Sequence, residues 1–493
     1  MRKTLLAAAG CLALSAAVAQ EAEVKLVAKV HNLIEGTALC DSLPGSFVHV
    51  VSYNGEYAVG YGTEYTKWAF IWSRSTGKFE LITGAYENSS IANGVSNDGL
   101  VVGAYNCDLK GNGGEGYLRP GIWRDGVWTP LQIEVEENEL VSGQDPTVNG
   151  EACFISGDGA FITGYIYSPS FQRNFYDEDG SLLETRNIGL LRPAIWTWNE
   201  KKGTYQLEVK WRNTPTGDEL QQGMWSHYGS SQDATVLAGV ADHPTGCRSP
   251  SVWVGEPGKR ATLTRIYGKE DIDVNSEESL PFYDGAMGSV SPNGKYAGGY
   301  WDPNGNGYEI TGFIYDTETE ELEEMPGWGM VTAALDDGTL FGSDGYMGGA
   351  LIRTADKSYN GALQTYLEEK YGAFTGNLPG TILSVSGDGT VIGGWYPVAD
   401  AIGALMYPSI VEIKPFEESD AVDALTRYEH NILIIADEVV APKAVKVELY
   451  STQGALLATV DDSRISFAGM HGVVVAKATY ADGQVQMKKV VAE

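Results

Sequence analysis

A short pattern of polar and apolar positions recurs along the chain: a Ser, then Asp or Asn with Gly, then three or four mostly apolar residues, then one or two very small ones. It reads SYNGEYAVG at Ser52, SNDGLVVGA at Ser96, SGDGAFITG at Ser156, SQDATVLAG at Ser231, SPNGKYAGG at Ser291, DDGTLFGS at Asp336 and SGDGTVIGG at Ser386. Asn-Gly and Asp-Gly accept the positive φ angles of a two-residue primed turn. The unit therefore predicts a tight hairpin, reversing at Gly55, Gly99, Gly159, Gly294, Gly338 and Gly389. The fourth copy departs, with Ala234 in that slot. The small pair closing the second strand (Gly103-Ala104, Ala238-Gly239, Gly298-Gly299, Gly342-Ser343, Gly393-Gly394) marks a place where backbones crowd together.

After a loop of variable length each hairpin is followed by a small residue, an apolar pair and usually Trp or Tyr. The copies are AFIW at Ala69, GIW at Gly121, AIW at Ala194, SVW at Ser251, GFIY at Gly312, ALIR at Ala350 and ALMY at Ala404. A turn and a weaker strand come next, as in KFELI at Lys78, so one repeat supplies four short strands. Gly55 to Gly389 spans 334 residues over six intervals, a spacing near 56. Seven four-stranded units at that period predict an all-β chain with a seven-bladed β-propeller over 46–413, in which the Trp/Tyr strand packs between blades.

The pattern resembles the HAF-repeat family of extracellular proteins, whose units have the form S-x-D-G-x-x-x-[VI]-G followed by A-F-x-W. The last copy matches best, including ALQTYLEEKYG at 362–372, a helix-like stretch ahead of SVSGDGTVIGG. The resemblance implies fold and exposure; the family has no established common chemistry.

The two ends differ from the middle. Met1-Arg2-Lys3, the apolar run Thr4 to Val18 and Ala17-Val18-Ala19 read as a signal peptide over 1–19, followed by a lead-in segment over 20–45. No later run is long and apolar enough for a membrane span. Past Ile413 comes a charged linker, 414–424, and then 425–493 reads as a small C-terminal β-sandwich, with strand-like runs at Ile432 to Ile435, Val445 to Tyr450, Ala455 to Val460 and Val473 to Thr479. Its strand–turn–strand at Val447 to Leu457, its strand at Gly472 to Lys477 and its ending at Gly483 to Val491 resemble the C-terminal sorting domain of the Bacteroidetes type nine (Por) secretion system. Val474 departs, where that family usually has an aromatic, as does Met470-His471 before the Gly. The resemblance implies export to the cell surface or medium by that machinery, with the periplasm as the alternative.

Composition narrows the partners. Of 493 residues 61 are Gly and 52 aromatic, and 65 acidic side chains against 34 basic ones give a formal charge of −31, which argues against nucleic acid. Cys40, Cys107, Cys153 and Cys247 are scattered, open to one or two disulfides in an exported chain but not to a zinc site with the six His. Asp302, Asn304 and Asn306, in DPNGNG, match the opening of a calcium loop, while the later ligand positions hold Ile310 and Phe313. The same letters also spell an ordinary Asn/Gly loop, and no other cofactor is expected. GxSxG, HExxH and phosphate-binding Gly-Lys-Ser/Thr motifs are absent, and no Trp follows the turns as an Asp-box requires.

The insertions 105–118, 165–191 and 300–311 fall at equivalent places and so on one face, rich in Tyr, Trp, Asn and Asp suited to a sugar or a peptide. The expectation is a non-enzymatic propeller that binds a glycan or protein there. A polysaccharide hydrolase or lyase and a purely structural surface protein are the alternatives. Converging carboxylates at the central channel would favour the hydrolase, an aromatic platform without acids the binder.

Overall fold

Each Ser-x-Asp-Gly unit folds as the hairpin between the innermost and second strands of an antiparallel sheet. In the computed structural model, residues 26–34, 45–62, 68–85, 89–107, 117–133, 150–167, 171–176, 181–188, 191–209, 229–242, 248–259, 261–267, 284–345, 348–372, 374, 376–399, 404–415, 433–435, 438–441, 444–451, 453–481 and 485–492 are described. The signal-peptide reading, Cys40, Cys247 and most of the linker lie outside them. Two units emerge, Ala28–Ile413 and Met1–Val27 with Lys414–Glu493.

The larger unit is a β-propeller. Its first sheet runs outward from Ser46–Val51 through Tyr57–Gly62 and Ala69–Ser73 to Phe79–Leu81, and the second from Ser90–Val95 through Val101–Cys107 and Tyr117–Arg124 to Val127–Pro130. The third (Gly150–Ile155, Phe161–Tyr167, Leu191–Asn199, Thr204–Val209) carries an extra hairpin, Phe171–Tyr176 with Leu182–Ile188, inside the 165–191 insertion. The fourth shows Val236–Asp242, Arg248–Val254 and Thr262–Arg265, with Ser230 bridging to Leu237 on the inner side. The fifth (Asp284–Val290 to Leu322–Met325) and sixth (Met330–Ala334 to Asn360–Ala362) again have four strands.

The seventh sheet takes Thr381–Val385, Val391–Ala399 and Ala404–Pro415 from the end of the repeat region and Leu26–Asn32 as its outermost strand. The stretch read as a lead-in thus holds a strand of this sheet. Leu33 donates its backbone N–H to Pro408 O at 3.2 Å, Asn32 Nδ2 reaches Ser409 Oγ at 3.3 Å and Asn377 O at 2.8 Å, and His31 Nε2 meets Glu412 Oε2 at 3.0 Å.

Apolar burial holds neighbouring sheets together, the dominant favourable contribution in any such fold. Each junction has its own cluster: Trp128 and Ile91 meet Val59 and Ile71, Trp196 and Ile162 meet Val102 and Leu131, Trp253 meets Ile195 and Tyr165, and Phe313 meets Val252. Ile314 meets Leu340, Phe341 meets Ile382, and Val391 and Ile410 of the last sheet meet Val48 and Trp72 of the first. The helix Leu363–Tyr371, in the stretch read as helix-like, buries Leu363 and Leu367, four apart and hence on one face, into the sixth–seventh cluster.

Two local devices recur. In six sheets the innermost strand has a β-bulge, and the ladder register skips His49, Asn93, Cys153, Gly288, Thr332 or Leu383. Opposite it, the second strand places Gly60, Gly103, Gly164, Gly299, Gly342 or Gly394, where an added Cβ would come within 1.8–2.1 Å of an inner-strand carbonyl oxygen. The small residues after the hairpin are thus required by backbone contact. Ala234, the exception at the turn, adopts the same left-handed conformation as the glycines, with φ +56°.

The smaller unit is a β-sandwich of a three-stranded sheet (Leu433–Ile435, Glu438–Val440, Arg464–Ser466) and a four-stranded one (Leu456–Val460, Ala444–Ser451, Gly472–Tyr480, Val485–Ala492). Val439, Ile465 and Phe467 of one layer pack on Val447, Leu449, Val474 and Ala476 of the other. Val474, where the sorting family usually has an aromatic, is a buried core position.

Candidate functional site

The repeated turn is a structural clasp. In six copies the Ser hydroxyl donates to the Asp or Asn Oδ1 two residues on, at 2.5–2.8 Å. The Ser Oγ in turn accepts the backbone N–H four or five residues on, where the second strand begins, at 2.9–3.0 Å. Burial pushes the Asp98, Asp233 and Asp388 carboxyls up, but these hydrogen bonds, and Arg124 at Asp98, outweigh it and hold all three below the usual carboxylate range.

Neighbouring turns are also bonded to each other. Asn54 N donates to Asn97 Oδ1, Asn97 N to Gly157 O, Gly157 N to Gln232 Oε1, Gln232 N to Pro292 O, Asn293 N to Asp336 Oδ1, and Gly387 N to Tyr53 O. The variable residue after the Ser is in most cases the link to the next sheet. Its variability in the repeat hides that role.

These turns surround one end of a cavity of about 130 Å³ to which all seven sheets contribute, from Val50 and Val51 to Ser384 and Val385. Among its described lining residues there is no carboxylate, Lys, Arg or His. Toward the other end, the first three sheets bring together Phe47, His49, Tyr61, Asn93, Glu151 and Cys153. Asn93 Nδ2 donates to Glu151 Oε2 at 3.2 Å and to Ala152 O at 3.1 Å, and the His49 ring meets Tyr61 edge-on at 5.5 Å. Burial, then the Glu151 and Cys153 charges, push the Tyr61 phenol well up, and burial, then Glu151, does the same to the Cys153 thiol, a free cysteine. The sequence names only Cys153 among these, as a disulfide candidate, and here it is a free, buried thiol; His49, Asn93 and Cys153 sit at bulges that no local signal marks.

In the 302–307 loop, Asp302 is buried and already engaged. Its Oδ1 accepts Asn304 N–H at 3.1 Å and its Oδ2 accepts Gly307 N–H at 2.6 Å. Asn306 Oδ1 accepts Tyr308 N–H at 2.9 Å, and Asn304 Nδ2 donates to Glu309. The three candidate calcium ligands thus share one loop, with side-chain oxygens of Asp302 and Asn306 taken by backbone N–H groups, as in an ordinary Asn/Gly loop.

The aromatic platform lies elsewhere. A groove of about 350 Å³ runs along the rim between the outer strands of the second and third sheets. Its wall is Trp198, 41% exposed, paired across the strands with Tyr205 at 5.1 Å between rings. Trp198 shares its face with Trp196, which is fully buried against the second sheet; two residues on, the indole passes beyond that cover. Tyr205 Oη donates to Gly159 O at 2.6 Å, and burial, then the Asp98 charge, raise the phenol to about 12. Thr129, Gln132, Thr204 and Gln206 add neutral hydrogen-bonding groups, and Arg119 is the charged lining residue. Lys202 Nζ donates to Gln206 Oε1 at 2.7 Å, fixing that amide.

No protein-family model matches the chain, and no curated protein matches it. Among solved structures it is similar to TolB from Acinetobacter baumannii, at 10% identity over 73% of this chain and 82% of that one, with a TM-score of 0.31. It is similar also to the periplasmic gluconolactonase PpgL of Pseudomonas aeruginosa, at 14% identity over 64% and 83% of the two chains, with a TM-score of 0.33. The β-propeller assignment rests on this chain's own sheet order and packing. Among the described residues no helix is long and apolar enough to cross a membrane.

Proposed function

We propose that this is an exported β-propeller that binds an extracellular glycan or protein at its surface and is delivered by a C-terminal unit of the sorting type. The observation that carries the binding reading is the rim groove, where a half-exposed indole stands beside neutral hydrogen-bonding side chains and one Arg, with no carboxylate among the described lining residues. An aromatic face beside convergent hydrogen-bonding groups in a groove is the usual lining of a small-ligand site. The cavity lined by all seven sheets, with no carboxylate pair among its described residues, agrees with binding over hydrolysis. Export is supported by the basic, apolar N-terminus and by the two-layer C-terminal unit.

Glycan-array and surface-protein binding of the purified protein test this reading, together with a polysaccharide-degradation screen. Binding without release of reducing ends is expected; release would overturn it. One observation favours the hydrolytic alternative, the buried Glu151 carboxylate on the Asn93 amide. Loss of any such release in Glu151→Gln would assign the chemistry to it.

A further inference from the structure

We infer that the central cavity is a binding site for one small neutral aromatic alcohol, a single-ring phenol, with its ring among the apolar side chains of the first and third sheets and its hydroxyl on Ser289. This stands apart from the surface-binding reading above. The residue after each inner-strand bulge falls at one level of the ring, because each resumes the ladder at the equivalent step: Val50 opposite Val59, Phe154 opposite Thr163, Ser289 opposite Gly298, Ala333 opposite Phe341 and Ser384 opposite Gly393. All five inner-strand residues line the cavity. Hydroxyls thus come from the fifth and seventh sheets, while Val50 and Phe154 come from the first and third, on the other side of the ring.

The deciding group is Ser289. It is 3% exposed, and its Oγ has no hydrogen-bond partner among the described residues. A buried hydroxyl without a partner is costly, so this one calls for a polar atom supplied from the cavity. Ser384 differs, since its Oγ already accepts the Val51 N–H at 3.0 Å. One hydroxyl to satisfy, against apolar walls, suits a molecule with a single hydroxyl better than a sugar, whose several hydroxyls each need a partner. Water is the competing occupant, but each buried water needs two to four polar partners, and the side chains of Val50, Phe154 and Ala333 offer none. Phe154 instead presents a ring to the ring of the ligand. Size sets the rest: at about 130 Å³ the cavity is close to the roughly 150 Å³ void that takes up one benzene molecule. One ring fits there and two do not.

The test is a fluorine NMR titration of the purified full-length protein with para-fluorophenol and with fluorobenzene. Para-fluorophenol is expected to bind about threefold or more tighter, although water holds it better, which is the margin of one net hydrogen bond. Ser289→Ala should reverse the order and leave fluorobenzene the better ligand. Ala333→Leu, which fills the cavity, should weaken both by more than about tenfold. Trp198→Ala, in the rim groove, should change neither. Melting temperatures close to that of the unsubstituted protein show that the variants fold, and Ala333→Val, with a smaller loss of both ligands, covers the case where Ala333→Leu does not. No shift of para-fluorophenol at millimolar concentration means that the cavity holds water alone and overturns the inference. So does binding that the filled cavity leaves intact, or an order of the two ligands that Ser289→Ala leaves unchanged. None of these outcomes touches the surface-binding reading, which the glycan and protein array decides.

Discussion

Replacing Gly103 by Ala tests the packing rule that spaces the inner strands. The new Cβ would stand 1.8 Å from Ile91 O, where real Cβ contacts lie at 3.0 Å or more, so the two strands must part by at least about 1.2 Å. The oxygen is backbone, held by the register in which Ala92 faces Gly103 and Ile91 faces Ala104, and it cannot rotate away as a side chain would. Overpacking a well-filled interior costs about 1–3 kcal/mol when side chains can adjust; here the upper value is the floor. Unfolding entropy of about 2.1 cal/mol/K per residue, over the 386 residues of 28–413, makes 3 kcal/mol equivalent to about 4 °C in Tm.

The assay is a thermal melt followed by tryptophan fluorescence at one scan rate. Two controls separate crowding from glycine's other properties. Gly126→Ala, at φ +84° with nothing near its Cβ, should cost about 1 kcal/mol from backbone strain alone. Gly345→Ala, also in open space and without a positive φ, should stay within about 0.5 kcal/mol. A Gly103→Ala protein that melts no lower than Gly126→Ala would refute the close-approach argument, and with it the reason for the small residues in the repeat.

Further expectations follow from the clasp, the closing strand, the Asp302 loop and the smaller unit. Asp388→Asn weakens three hydrogen bonds, from Ser386 Oγ, Thr390 N and Thr390 Oγ1, and should cost about 1–2 kcal/mol at pH 7 in a denaturant titration. Because Asp98, Asp233 and Asp388 have folded pKa values below their unfolded ones, their contribution is complete above the unfolded value of about 3.9 and is lost as pH falls through the folded values; Tm should drop steeply below about pH 4, and less steeply in Asp388→Asn. Val30→Asp puts a charge at a fully buried position of the outermost seventh-sheet strand and should lower stability by about 3 kcal/mol or more by the same titration; a neutral result would mean that Leu26–Asn32 does not hold that sheet. Asp302→Ala frees two backbone N–H groups and should cost about 1–3 kcal/mol with or without calcium; a calcium-dependent rise in Tm that this substitution abolishes would instead show an ion at Asp302, Asn304 and Asn306. Glu448, clasped by Lys446 and Lys477 and thereby lowered to about 2, should on conversion to Gln lower the melting temperature of the C-terminal unit and remove its acid sensitivity between about pH 2 and 4.

Much of the ring was legible because its parts are local. A residue pair that accepts positive φ must turn, a Ser two positions before a carboxylate can clasp it, and a small residue opposite a crowded carbonyl has no substitute, so Gly55, Ser96 and Gly394 could be placed from their neighbours alone. The Trp of the third strand likewise foretold packing between blades. What only the tertiary structure decided involves partners hundreds of residues apart or the edge of an element. Nothing in Leu26–Asn32 announces that it will pair beside Ala404–Pro415, because a strand's letters state that it can pair but not with which edge. The bulges that gather His49, Asn93 and Cys153 appear only when two strands are in register. Trp198 lies two residues beyond the Trp196 of the repeated signature and on the same face, and only the point where the second sheet ends leaves one indole in the core and the other in the groove. Conformation at a turn is set by sterics within a few residues, whereas exposure and convergence are set by where neighbouring sheets stop.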